Sequence, residues 1–331
     1  TPYSAFKYLE FRKKVPISNN QILSYGYTDN PLFMSFNVKK AEGVKQKCYL
    51  ELASSHLNSI EIWKIYPDGR IIQKADLGTK NVFTDRLVKH RNFIFPFALK
   101  KNHQYIIKVN SKSTLQFPVK VYTKENFIER TSADYLFIGL FAGLLVLFAL
   151  WGCQNFFALG ELSFLFYVLY SLSILMFFLE RDGISYQFLF PDLLWWKPRG
   201  VRVFALLSGI FGVLYASSFL GKRFLKNKLS MIYCLICVLS ISLVIFLDVS
   251  LTPKLTILGA GLSPIIMLYL SLKGMKYGPL AKYLALGAAA NILGVVVYSL
   301  SVLNITAASF LAEYSMKIAV IVEFFLLSIG I

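Results

Sequence analysis

From Tyr135 to Leu159 the chain reads YLFIGLFAGLLVLFALWGCQNFFAL, 25 residues without one charged side chain. A bilayer core about 30 Å thick takes roughly 20 apolar residues of helix, so this stretch is long enough to span one with some tilt. It divides the chain in two. The part before it has the short, interrupted blocks of a water-exposed domain, and nearly everything after it is apolar. The whole sequence is 56% hydrophobic and only 16% charged, where a soluble domain carries about 25% charged residues. The stretch is therefore read as both the tether of an outer domain and the first helix of a bundle.

Residues 1–130 alternate in short blocks rich in aromatic and β-branched residues and bounded by turn chemistry. Gln21–Tyr27, Leu32–Val38, Cys48–Leu52, Ser59–Ile65, Asn92–Phe97, Tyr105–Val109 and Phe117–Tyr122 are predicted strands. Pro67-Asp68-Gly69 is a turn, because proline presets φ and glycine accepts a positive one. Asp29-Asn30-Pro31 marks another. Seven or eight strands without a helix-period stretch predict an all-β jelly roll or β-sandwich, long enough to bury its own core. Tyr25, Tyr27, Phe33, Trp63 and Tyr66 are aromatic candidates for a small-molecule or carbohydrate ligand, since sugar-binding sandwiches present rings and a few polar groups on one face. Strand alternation buries half of any such set, so core packing competes for each ring.

Six more apolar runs follow: Leu162–Leu179, Val201–Leu220, Leu229–Leu247, Leu255–Leu272, Tyr283–Leu303 and Phe310–Ile331. Residues 131–331 are thus predicted to form an all-α bundle of seven transmembrane helices. With the outer domain outside, the inner loops hold seven Lys and Arg and the outer loops four. This bias favours N-terminus out and C-terminus in. An ionisable side chain in lipid costs at least about 2.5 kcal/mol and needs a reason. Glu313 and Lys317 stand four apart on the last helix, in the order that favours a pair. Glu323 lies deeper, with no partner on its own helix, and is a candidate switch. Asn155 and Asn291 are placed to bond between helices, and Gly139-x-x-x-Gly143 permits close approach within the bundle or in a homodimer. The outer loop Glu180–Gly200 carries Trp195 and Trp196 beside Lys197. It is read as a membrane-surface anchor or as a relay to the outer domain.

Charge and special residues narrow the function. Residues 1–130 hold 22 Lys and Arg against 10 Asp and Glu, a net of +12. Such a domain favours anionic neighbours such as headgroups, acidic glycans or carboxylates, and a basic surface kept for solubility accounts for the charge at least as well. No nucleic-acid recognition motif is present. His56, His90 and His103 lie in loops or at strand edges, without carboxylates at ligand spacing, and solvated loop histidines are the default. No metal or cofactor is expected. Cys234-x-x-Cys237 falls inside an apolar helix, where small packing residues are the ready reading. No nucleophile elbow and no paired carboxylates suggest catalysis.

Several segments resemble a known family. YGYTDNPLFMSFNV is similar to a strand pair entering with Gly-aromatic. CYLELASSHLNSIEIWKIYPDGRI resembles an aromatic-Leu-Glu, Leu-x-x-Ile-x-Ile, Asp-Gly segment, and FIFPFAL and YIIKVNSKSTLQFPVKVY match closing strands. GLFAGLLVLFALWGCQNFFALGELSFLFYVLYSL resembles a Gly-rich first helix, a very short inner turn and a Tyr-rich second helix. Together these resemble the bacterial seven-transmembrane receptors with diverse intracellular signalling modules. The resemblance implies a non-enzymatic sensor in the bacterial cytoplasmic membrane, relaying to a cytoplasmic output module in cis that lies beyond Ile331. It also singles out Lys108, which stands where the family often has a basic strand residue. Phe33-Met34-Ser35 departs from the family's frequent Trp-x-Arg. The competing reading is a transporter or channel with a substrate-collecting outer domain. Few midplane charges and no evident inverted repeat speak against it.

Overall fold

The structure is a computed structural model and describes residues 22–24, 30–38, 47–66, 68–98, 103–111, 116–247, 252–302, 305 and 310–330. It divides into two compact units. One comprises Thr1–Asp134 with Arg181–Pro198, the other Tyr135–Glu180 with Arg199–Ile331. The chain therefore passes from one unit to the other at three places: after Asp134, after Glu180 and after Pro198.

The first unit is a β-sandwich. Its strands are β1 (Ile22–Ser24), β2 (Leu32–Val38), β3 (Lys47–Leu52), β4 (Ser59–Ile65), β5 (Ile71–Leu77), β6 (Phe93–Ala98), β7 (His103–Asn110) and β8 (Gln116–Thr123). One sheet has the order β1-β8-β3-β6, the other β2-β7-β4-β5, and the pairings are antiparallel. Period-two alternation drives the packing. Leu50 and Leu52, Phe93, Phe95 and Phe97, Ile60 and Ile62, and Ile107 and Val109 point between the sheets and form one core with Met34, Leu57, Ala75, Leu77 and Tyr105. Each large apolar side chain so buried contributes about 1.5–3 kcal/mol.

β5 was not among the predicted strands. Its sequence, IIQKADL, has a polar, exposed middle, which suits the edge of a sheet. A bulge lies opposite the Ile62–Trp63 step, where Ile62 faces Ala75 but Trp63 faces Gln73. Lys74 is thereby the extra residue on β5.

Gly78, just past β5, has φ +140°. A Cβ there would stand inside the van der Waals envelope of the Asn58 carbonyl and 2.9 Å from Ser59 Cα. The turn is closed by Thr79 N donating to Leu57 O at 2.9 Å. Gly78→Ala is therefore expected to destabilise the sandwich by at least about 2 kcal/mol. Urea unfolding followed by near-UV circular dichroism measures this.

The helices are α1 (Lys124–Leu159), α2 (Leu162–Arg181), α3 (Ile184–Phe188), α4 (Gly200–Phe219), α5 (Lys222–Leu225), α6 (Lys228–Phe246), α7 (Thr252–Gly274), α8 (Ala281–Val302) and α9 (Phe310–Gly330). α1, α2, α4, α6, α7 and α8 are long and apolar enough to cross a membrane. α9 has 21 residues and carries three ionisable side chains, Glu313, Lys317 and Glu323. α1 starts well before the apolar stretch and reaches 36 residues, about 54 Å at 1.5 Å per residue. Its first turns belong to the sandwich unit.

In the helical unit α4 is central. Leu206, Val213, Tyr215, Ala216 and Ser217 are all fully buried. α4 packs on α6 and α7, and α8 packs on α7 and α9. Polar contacts join α6 to α7, α4 to α6 and α2 to α1. Tyr233 Oη donates to Gly259 O at 2.9 Å, Ser217 Oγ meets Ser230 Oγ at 3.1 Å, and Ser171 Oγ donates to Leu145 O at 2.8 Å. Outside the unit's core the apolar side chains of α1, α6 and α7 stay exposed, as a lipid-facing surface requires.

Candidate functional site

Three arrangements carry the chemistry. The first lies on the outer face of the β2-β7-β4-β5 sheet. Register sets Phe33 opposite Lys108 and Lys108 opposite Glu61. Lys108 Nζ donates to Glu61 Oε1 at 2.8 Å, and the two side chains remain 31% and 23% exposed. The result is a strip of ring, ammonium and carboxylate across three adjacent strands. Of the residues singled out in the sequence it unites Phe33 and Lys108, and it adds Glu61. Trp63 occupies the next row of the same face beside Ile106, and both are buried, at 5% and 1% exposure. Trp63 therefore packs rather than presenting a free ring. Tyr66 lies off the strip, at the β4–β5 turn. Tyr25 and Tyr27 lie outside the described residues.

The second arrangement lies within the sandwich unit, where segments 124–134 and 181–198 fold onto it. Phe127, in the first turns of α1, stacks on Tyr49 at 4.9 Å and touches His90 at 5.5 Å and Tyr122 at 6.4 Å. Arg91 Nη2 donates to Asp134 Oδ2 at 2.9 Å, and Arg130 Nε lies 3.3 Å from Oδ1 of the same carboxylate. Burial opposes the Arg91 charge, but Asp182, Asp134 and Glu51 outweigh it and hold its proton more tightly than usual.

The 181–198 segment is fastened in turn. Ser55 Oγ donates to Arg181 O at 2.9 Å, Phe83 N to Pro191 O at 3.2 Å, and Lys197 Nζ to Asn81 O at 2.8 Å. The Tyr186 hydroxyl donates to Lys197 O, and its ring meets His56 edge-on at 5.8 Å. Lys197 is 1% exposed. Burial, and after it the nearby Arg86 guanidinium, push its ammonium down to about 8. The outer loop is thus a built part of the sandwich unit. Trp195, 52% exposed, rests edge-on against Trp196 at 5.6 Å, and Trp196 meets Phe190 at 6.5 Å.

His90 departs from the solvated-loop expectation. It is 4% exposed. Its Nδ1 accepts from Asn92 N at 3.1 Å, so Nδ1 carries no proton. Burial, and then the Arg91 guanidinium, lower its pKa to about 4, with Asp134 pulling the other way. Beside it Arg86 donates to the carbonyls of His90 and Arg91 at 2.6 and 3.0 Å. Its guanidinium lies over the rings of Phe83 and Phe93 at 4.7 and 4.3 Å.

The third arrangement is inside the helical unit. Glu323 is fully buried and takes its partners from other helices. Tyr170 Oη on α2 lies 3.1 Å from each carboxylate oxygen, and Asn291 Nδ2 on α8 donates to Oε2 at 2.5 Å. About one turn away Tyr167 Oη meets Ser328 Oγ at 3.0 Å. α9 is therefore pinned to both α2 and α8 by polar contacts in an apolar bundle. Asn291 makes the expected interhelical bond. Asn155 does not: its amide donates to Trp151 O at 2.8 Å, within its own helix. Lys317 lies over Phe141, Phe178 and Tyr314 at 5.7, 5.8 and 5.4 Å. The side chain of Glu313 lies outside the described residues. Among the described residues no group of His, Cys, Asp and Glu could hold a metal ion.

A sandwich ahead of a helical unit with six apolar spans among the described residues, and a loop of the helical region built into the sandwich unit, define a membrane protein with an outer module. A family model described as "7TM diverse intracellular signalling" matches residues 134–331, and a second, "7TMR-DISM extracellular 2", matches residues 8–123. The chain belongs to the family of seven-transmembrane receptors with diverse intracellular signalling modules. Neither a search of curated proteins nor one of solved structures returns a match.

Proposed function

We propose that the chain is the sensing and membrane part of a bacterial receptor in the cytoplasmic membrane. Its sandwich lies outside and binds a small polar or carbohydrate ligand, and its helices pass that state to a cytoplasmic output module. The observation that carries this reading is the rooting of three span ends in the sandwich unit, at Asp134, Arg181 and Pro198. A ligand that favours one arrangement of the sandwich then biases those three ends together, which is what a population shift between two bundle states requires. The Phe33–Lys108–Glu61 strip supplies the ligand chemistry: a ring face for an apolar sugar face and a charged pair for hydroxyls. Glu323, pinned by Tyr170 and Asn291, is a point in the bundle where a shift of α9 must break or remake hydrogen bonds. Trp195 and Trp196 in the 181–198 segment and Lys317 on α9 are further relay candidates, each within its own unit.

The test uses the full chain in lipid nanodiscs. A panel of mono- and disaccharides and small carboxylates is screened by thermal shift. For each hit the distance between spin labels at positions 161 and 276, in two interhelical turns, is then measured. At least one compound is expected to raise Tm by about 3 °C or more and to change that distance. Lys197→Met is expected to keep the thermal shift and lose the distance change. A panel without a stabilising member would defeat the reading. So would a distance change that survives both Lys197→Met and Ser55→Ala.

A further inference from the structure

The β4–β5 hairpin carries a feature that the receptor reading does not use. β4 begins beside Ser55 and His56, which bind Arg181, and β5 ends just before Asn81 and Phe83, which bind Lys197 and Pro191. The turn at Asp68–Gly69 is therefore at the opposite end of the sandwich from these anchors. The seven residues of β4 make that separation about 23 Å at 3.3 Å per residue.

Three cations converge on one ring at this tip. Lys64 Nζ stands 4.8 Å from the Tyr66 ring centre, Arg70 Cζ 5.6 Å and Lys74 Nζ 5.9 Å. The bulge is what turns Lys74 out of the alternation. One carboxylate, Asp68, answers them. It pairs with Arg70 Nε at 2.6 Å and also accepts from Arg70 N at 3.1 Å. Among the described residues no carboxylate pairs with Lys64 or Lys74. Three like charges around one tyrosine repel each other, and the cluster gains when an anion enters it.

We propose that this tip is a docking surface for an acidic glycan. The ammonium groups of Lys64 and Lys74 would take carboxylate or phosphate groups of the polymer, and Tyr66 would lie against a sugar ring. The occupant is a polymer that offers both a charge and a ring: its anionic groups answer Lys64 and Lys74 while a sugar ring answers Tyr66, where a phosphatidylglycerol surface would answer the charge alone.

Binding of polygalacturonate, neutral dextran and phosphatidylglycerol vesicles is compared on the full chain in phosphatidylcholine nanodiscs by biolayer interferometry. Polygalacturonate is expected to bind and dextran not. Affinity should fall about tenfold as salt is raised from low to physiological strength. Lys64→Gln with Lys74→Gln, both partly or fully exposed, should weaken binding by about tenfold. The control pair Lys47→Gln with Lys89→Gln, exposed elsewhere on the same unit, should change it less than about twofold.

Equal losses in the two pairs would mean attraction to overall charge and would overturn the proposal. So would an unaffected tip variant, dextran binding, or capture by the anionic vesicles alone. Polygalacturonate binding through the tip without any distance change at positions 161 and 276 would sink the relay and leave the tip standing. The converse result would sink the tip alone.

Discussion

Replacing Arg91 by methionine is expected to destabilise the sandwich unit by about 3 kcal/mol. The guanidinium and the Asp134 carboxylate are each only 13% exposed and lie 2.9 Å apart. Methionine fills the volume of the stem but leaves Asp134 buried without the guanidinium it accepts from, beside the more exposed Arg130. Removing one partner of a buried pair is costly because the other loses its compensation, not because the pair itself is strongly stabilising. The reverse change, Asp134→Asn, leaves Arg91 close to Asp182 and Glu51 and should cost less. Urea unfolding of the full chain in nanodiscs, followed by near-UV circular dichroism, gives both values and the double variant. The double variant should cost at least about 1 kcal/mol less than the sum of the singles. Additivity within about 0.5 kcal/mol would mean that the two groups are energetically independent. Where the pair is coupled, the double variant should still fold but fail to change the distance between positions 161 and 276 with ligand.

The division of the chain was legible because its causes are local. Twenty-five uncharged residues fix a span, and alternating apolar blocks closed by Pro67-Asp68-Gly69 fix a hairpin. Two element limits were missed for reasons that can be named. KENFIERTSAD ahead of Tyr135 is polar enough to read as the end of a soluble domain. It contains no glycine or proline, however, and the helix begins at Lys124 and runs on unbroken. β5 was hidden because an edge strand tolerates Gln73, Lys74 and Asp76 in its middle.

The candidate site was less legible, because its partners are remote in sequence. Glu323 stood out by depth alone, but its donors are Tyr170 and Asn291, 153 and 32 residues away, and nothing local marks Tyr170 among the chain's 19 tyrosines. Lys197, beside Trp195 and Trp196, read as part of a membrane-surface anchor or a relay. Its ammonium is instead satisfied by the carbonyl of Asn81, 116 residues distant. Backbone carbonyls carry no sequence signature, so burial of this kind is decided by tertiary structure.

Acidification should weaken the sandwich unit through His90, and the sign follows from which state binds the proton. In the folded unit His90 titrates at about 4, whereas an unfolded chain titrates near its usual value of about 6.5. Above pH 6.5 both states are neutral and the residue contributes nothing to pH dependence. Between about 6.5 and 4 the unfolded chain takes up the proton and the folded one does not, so stability falls as pH falls. Below about 4 both are protonated and the loss levels off at roughly 3 kcal/mol, the full separation of the two values. The physical cost is specific. A proton on Nδ1 would abolish the bond from Asn92 N, and it would set a second charge against Arg91 and Arg86, which Asp134 only partly offsets. His90→Gln removes the titration while keeping a polar side chain against the Phe127 ring. The carboxylates of the unit also titrate in this range, so the informative quantity is the difference between parent and variant, measured by urea unfolding at pH 7.5, 6, 5 and 4. That difference should open steadily below pH 6.5, in favour of the variant. Parallel curves would show that the histidine is accessible to protons in the folded unit and that the contact of Phe127 with His90 is loose.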